Sequence, residues 1–307
     1  YRGNAFPAVP RHREGGFDVE DRGDRHILHF RAPRGTLEGV VELSAASGCG
    51  MLTRHPVETE EDVRVLTSFY RDMEVIPNDE EFETNLREMG DRGVLLPNPG
   101  RDFANASPIE QCLARFTGVA NLYYLLQDYP EAMEEAIEAM NRVILDSVRI
   151  AARKVPVGVL VFENTSATTQ SPEIYRRYVM PLFQACADIL HEEGKLFVLH
   201  ACGLLKPFLG LIMESGFDWI ESLTPPETGD TRPWEAAEVF GDDVGIIGGI
   251  DPVFLTRASL GDLEAYAWQV LEKMRGRPFI LANADSCPPG VEREKFELLA
   301  RVAREFH

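Results

Sequence analysis

From residue 155 onward the chain repeats one pattern. A short apolar or β-branched run is followed by a polar turn and then by a stretch with apolar positions at helical spacing. Residues 155–162 read as a buried strand. Ser171-Pro172-Glu173 opens a helix, with Ser at the N-cap and Pro in the first turn. That helix runs to about Glu193 and stops at Gly194. Strands are expected at 195–200, 217–222, 244–247 and 279–282, with helices over 204–215, 234–240, 260–274 and 292–306. Such alternation of strands and helices implies a parallel sheet covered by helices.

Upstream the pattern is looser. Residues 26–31 and 39–43 read as two strands that can pair as a hairpin, and 93–96 as a further short strand. A helix is expected over 60–71 with Thr59 as its N-cap, and Asp128-Tyr129-Pro130-Glu131 opens a long helix ending near Lys154. No low-complexity segment or linker interrupts the chain, so the expectation is one α/β domain spanning 1–307 with a looser N-terminal region. A doubly wound open sheet and a closed barrel share this pattern. No strand is followed by the GxGxxG turn of a dinucleotide-binding version.

Composition narrows the function classes. A hydrophobic fraction of 44% is enough for a packed core and argues against disorder. The net charge of −19, from 50 acidic against 31 basic residues, argues against a general nucleic-acid surface. No apolar run is long enough to span a membrane, and Tyr1 opens a polar segment without a secretory h-region, so the expected compartment is the cytoplasm. Five cysteines in 307 residues make no disulfide framework. Cys112 and Cys186 lie among apolar neighbours and read as core, while Cys49 has no assignment.

Cys202 and Cys287 differ. His200 and Cys202 stand at i and i+2 at the end of an expected strand, so their side chains leave on one face, and Gly203 then lets the backbone turn. Cys287 follows the strand at 279–282, in the loop Ala284-Asp285-Ser286-Cys287-Pro288-Pro289. In a parallel barrel all strand C-termini meet at one rim, where one imidazole and two thiolates can converge on an ion. Soft sulfur with imidazole suits zinc, and three protein ligands leave a fourth position open. Two thiolates and a neutral imidazole cancel the zinc charge, which suits binding and deprotonating a thiol that stays nucleophilic. An H-x-C pair by itself reads equally well as core packing.

The runs His200-Ala201-Cys202-Gly203, Gly216-Phe217-Asp218-Trp219-Ile220-Glu221 and Gly248-Gly249-Ile250-Asp251-Pro252 resemble the uroporphyrinogen decarboxylase superfamily. Ser171-Pro172-Glu173-Ile174-Tyr175 and Pro181-Leu182-Phe183 fit the same pattern. The H-x-C pair followed by a late Cys before Pro-Pro-Gly resembles its branch of zinc-dependent corrinoid methyltransferases, of the methylcobamide:coenzyme M type. The resemblance runs over about residues 36–306 and is strongest from 160. It implies a (β/α)8 TIM-type barrel and, for the branch, zinc on His200, Cys202 and Cys287. The decarboxylase's Arg-rich R-Q-A-G-R segment has no counterpart, Arg11-His12-Arg13 not matching it. The chain opens inside the family pattern, as though a segment preceded Tyr1.

Three carboxylates at strand ends are candidate catalytic groups. Glu163 is expected to face the same mouth as His200, as a fourth ligand or an acid/base, although a helix N-cap or ion pair would also account for it. Glu221 occupies the equivalent place one strand later, and Asp251 either lines the mouth or caps the helix after Pro252. Asp285 can orient a ligand from outside the coordination sphere. His191 reads as solvated, and His12, His26, His29 and His55 as structural. The function expected first is transfer of a methyl group between a corrinoid, carried by a partner protein, and a thiol or similar acceptor. A metal-free decarboxylase and a non-catalytic binding protein on the same barrel are the alternatives.

Overall fold

Between residues 16 and 54 the chain folds into successive antiparallel hairpins. The protein is described by a computed structural model covering residues 6–44, 50–99 and 106–306. Its contacts divide the chain into two compact units, Tyr1–Pro156 and Val157–His307.

In the first unit β1 (Ala8–His12) pairs antiparallel with a strand at Met73–Pro77. The strands β2 (Gly16–Asp21), β3 (Arg25–Ala32), β4 (Gly35–Leu43) and β5 (Gly50–Arg54) form a four-stranded antiparallel sheet in chain order, and Met73–Pro77 is β6. The expected hairpin is β3 with β4, closed at Ala32 opposite Gly35. The helix Glu60–Arg71 begins as expected: Thr59 accepts from the Asp62 amide at 3.3 Å, and the Asp62 carboxylate accepts from the Thr59 amide at 2.9 Å. Pro130 opens the long helix Pro130–Ala152. Phe30 packs edge-on against Phe69 and Phe116 at 5.6 and 5.4 Å between centroids, an aromatic centre for this unit. The strand expected at 93–96 is absent; this segment is irregular, since four residues ending before Pro97 find no ladder to join. The helix Asp79–Met89 gave no sequence signal, because it buries only Phe82.

In the second unit β7 (Gly158–Phe162), β8 (Leu196–His200), β9 (Trp219–Leu223), β10 (Gly245–Ile250) and β11 (Phe279–Asn283) form one parallel sheet in the order β11-β10-β9-β8-β7. All five expected strands are present. Helices Met180–Glu192, Pro233–Phe240, Leu260–Lys273 and Arg293–Glu305 alternate with them. Phe197 of β8 stacks on Phe217 at 4.4 Å, and Phe183 closes on both at 5.9 and 5.1 Å. A second cluster joins Ile250 and Leu255 to Leu263, Leu298 and Val302 of the last two helices. Among the described residues no helix is long and apolar enough to cross a membrane.

Candidate metal centre

Parallel register brings three side chains level at the C-terminal edge of the sheet. Phe162 of β7 stands opposite His200 of β8, and His200 opposite Glu221 of β9. The Phe162 and His200 rings meet edge-on at 4.9 Å, and His200 Nδ1 hydrogen-bonds a Glu221 carboxylate oxygen. With Nδ1–H donating to the carboxylate, the Nε2 lone pair is the ring's remaining ligand atom. Cys202 follows two residues on, beyond the fully buried Ala201, and its Sγ approaches Asn164 Oδ1 at 3.6 Å.

The turn after Cys202 needs Gly203. Its φ is +99°, and a Cβ there would lie 3.0 Å from Ser166 Oγ. The close approach lets the loops after β7 and β8 latch together. The Leu204 amide donates to Ser166 Oγ at 3.3 Å, and the Ala167 amide to the Leu204 carbonyl at 3.1 Å. Asp230, from the loop after β9, accepts from the Leu205 and Lys206 amides at 2.8 and 3.2 Å. Three consecutive loops are thus tied together around His200 and Cys202.

The other expected residues take distinct places. Glu163 lies one position beyond the Phe162–His200–Glu221 row, where strand alternation turns it away from that face. It is fully buried, and its charge acts on Tyr175. Burial foremost pushes the Tyr175 phenol above its ordinary range. The Ser215 hydroxyl at 3.2 Å pulls the other way, and the Glu163 carboxylate adds to the rise. The carboxylate that hydrogen-bonds the His200 ring is that of Glu221. Asp251 is a helix N-cap. One of its oxygens accepts from the Val253 and Phe254 amides at 2.8 and 2.9 Å, the other from the Thr228 amide and hydroxyl at 3.0 and 2.6 Å. It thereby pins the loop after β9.

Asp285 enters the centre. His200, Cys202 and Asp285 each offer a ligand atom within 4.8 Å of the other two. Cys287 stands outside this group; it is exposed, with Sγ 3.5 Å from the Pro288 carbonyl. Zinc bonds near 2.0 Å to nitrogen and oxygen and 2.3 Å to sulfur set ligand atoms roughly 3.5 Å apart, so small side-chain rotations close this group on an ion. Imidazole, thiolate and carboxylate are all zinc-binding types, and the residues fit the metal. The rim also carries strained backbone. Ser222 and Asp285 are the non-glycine residues at positive φ among those described, both at +70°, and the β9–β10 register shifts between Ile247 and Gly248.

Cys112 and Cys186 are buried core as expected, and burial pushes the Cys112 thiol up to about 12. Cys49 lies outside the described residues. His191 is half-exposed and pairs with Asp218 at 3.0 Å. Sequence reading missed Asn164, Ser166 and Asp230, because each acts through a partner more than twenty residues away that no spacing reveals.

Comparison with known proteins agrees with this architecture. Residues 113–306 match the family Uroporphyrinogen decarboxylase (URO-D). A uroporphyrinogen decarboxylase from Carboxydothermus hydrogenoformans is 28% identical over 214 residues, which cover 67% of this chain and 57% of that protein. The chain thus spans little more than half the length of this relative. A methyltransferase from Methanosarcina mazei superposes with a TM-score of 0.62 at 15% identity, covering 87% of this chain and 75% of that one; at this identity the likeness is one of fold.

Proposed function

The chain belongs to the uroporphyrinogen decarboxylase family, and on that premise we propose that it is a zinc-dependent methyltransferase moving a methyl group between a corrinoid and a thiol or similar acceptor. The observation that carries this reading is the approach of His200, Cys202 and Asp285, whose ligand atoms lie within 4.8 Å of one another beyond the strand ends. The fold of a methyltransferase from Methanosarcina mazei is in keeping with it. The five parallel strands are read as part of a closed (β/α)8 barrel, with the whole chain a single family domain. A partner protein carries the corrinoid.

Each residue of the centre has a task. Glu221 holds the His200 ring in the tautomer that points Nε2 into the site. Cys202 brings a sulfur ligand from the next turn, and the loop after β11 supplies the third ligand. When bound, zinc lowers the proton affinity of a thiol and holds it as a thiolate that remains nucleophilic. Asp251 fixes the loop after β9 through Thr228, which keeps the mouth in shape. Glu163 sets the charge beneath the rim, against Tyr175.

The second reading, a metal-independent decarboxylase, is favoured by the Carboxydothermus hydrogenoformans relative. That chemistry needs cations to hold substrate carboxylates. On the loop after β9, Glu227 occupies Arg257, and Arg232 lies beside Glu235.

An anaerobic assay with methylcobalamin and a panel of small thiols separates the two. The proposal expects the cob(I)alamin spectrum to appear, chelator to abolish it and zinc to restore it. Its apparent pKa should fall below the roughly 8.5 of an ordinary thiol. Chelator-insensitive release of CO2 from a porphyrinogen, with no methyl transfer to any thiol, would establish the second reading instead.

A further inference from the structure

We propose that Asp285 is itself a metal ligand, holding the third position with His200 and Cys202 while Cys287 stands outside the coordination sphere. The inference rests on the metal reading above, and it departs from the three-residue set that the sequence implied.

Geometry comes first. Asp285 offers an oxygen within 4.8 Å of both the His200 and Cys202 ligand atoms, whereas Cys287 is exposed and its Sγ turns to the carbonyl of the next residue at 3.5 Å. Asp285 is also held in place. Its φ of +70° is one an aspartate adopts at some cost, and the Asn283 side-chain amide donates to its carbonyl at 2.7 Å. The Ser286 amide donates to its Oδ1 at 2.6 Å, which fixes the plane of the carboxylate. The backbone turn and the side-chain plane are therefore both set before any ion arrives. The same preparation is found at the other two ligands, where Glu221 and Phe162 fix the His200 ring and Gly203 fixes the turn that follows Cys202.

Charge permits the exchange. Neutral imidazole, one thiolate and one carboxylate carry the same formal charge as imidazole and two thiolates, so a dication is neutralised in either set. Softness changes: an oxygen in place of a second sulfur donates less electron density and leaves the metal a stronger Lewis acid. The loop after β11 presents a hard donor at 285 and a soft one at 287, and it is the hard one that lies beside His200 and Cys202.

The test uses the full chain, stripped with chelator and reloaded with Zn2+ or Co2+. Zinc affinity is read by competition with a chromophoric chelator, and the sulfur-to-cobalt absorption reports the thiolate ligands. Asp285→Ala and Asp285→Asn should each weaken zinc binding by at least about tenfold, the lower end of what losing even an outer-shell partner costs. Cys287→Ala should change affinity by less than that and leave the cobalt–thiolate band at wild-type intensity, while Cys202→Ala should abolish the band. The Asn variant keeps the size and the acceptor for Ser286, so loss of binding with an unchanged melting temperature cannot come from a collapsed loop. Wild-type affinity in both Asp285 variants, together with a weakened Cys287→Ala and a diminished band, would return the third position to Cys287 and leave the zinc reading intact. Failure of the unaltered chain to take up either metal would overturn both.

Discussion

The two units solve the same packing problem with opposite sheet geometries. In Tyr1–Pro156 successive strands reverse direction through hairpins, so the ends of neighbouring strands point alternately to either edge of the sheet. Its charged groups pair across the ladder: His29 lies 3.5 Å from Glu20 and 3.2 Å from Glu38, and Arg31 reaches Asp18. In Val157–His307 every strand of the sheet runs the same way, so the loops after β7, β8, β9, β10 and β11 all leave from one edge. His200 and Glu221 from β8 and β9, with Cys202 and Asp285 from the loops after β8 and β11, meet there. Parallel topology gathers chemistry from distant sequence positions; the antiparallel sheet spreads its polar groups over a face, where they pair and stabilise.

This comparison can be broken from the core outward. Phe197 is buried between Phe183 and Phe217, and Phe197→Ala should cost about 3–5 kcal/mol in denaturant unfolding. An unchanged midpoint would mean that the aromatic stack is not what holds β8 in place. Asp251→Ala removes four hydrogen bonds at a buried cap and should cost about 2 kcal/mol. It should also make the loop at 225–230 more susceptible to limited proteolysis. If turnover instead vanished at full stability, Asp251 would be a participant in the chemistry and not a brace. In the other unit, Thr59→Ala should cost about 1 kcal/mol, since Glu60–Arg71 loses its reciprocal cap. The smallest effect over the ordinary working range concerns pH. Burial lowers the His12 pKa from 6.5, with its Asp72 hydrogen bond opposing. Asp72 lies below its usual 3.8: burial opposes this, but the Gly15 and Glu14 amides and His12 outweigh it. Both folded pKa values are depressed, so both contributions are present above the unfolded values and are lost as pH falls, first below 6.5 and then below 3.8. Melting temperature should fall with acidification, and Asp72→Asn should flatten the lower part of that slope. An acid slope identical to wild type would place the titrating groups elsewhere.

The parallel half was legible in sequence because strands such as β7 and β8 read as short, largely buried apolar runs, closed by residues with a single conformational use. Gly194 ends a helix at φ +64°, and Ser171 caps the next segment upstream. The antiparallel half was only partly legible. In β2, Gly16–Asp21, every residue is at least partly exposed, and it carries Asp18, Glu20 and Asp21, so no apolar period announced it. At the site, the i, i+2 spacing singled out His200 and Cys202 together, and their ligand atoms do lie within 4.8 Å of each other. Sequence placed Glu163 at the end of its strand but could not give the register, in which Phe162 stands opposite His200. The proximity of Asp285 to His200 and Cys202 was not legible, because it depends on a left-handed turn at Asp285 that spacing does not encode.

Metal analysis of the full chain purified without chelator tests the central claim most directly. The account predicts about one zinc per chain in the wild type, and its loss in both His200→Ala and Cys202→Ala with the melting transition retained, because these ligands sit at the strand ends and outside the two core clusters. Full zinc occupancy in either variant, or a folded wild-type chain that takes up no zinc, would contradict it.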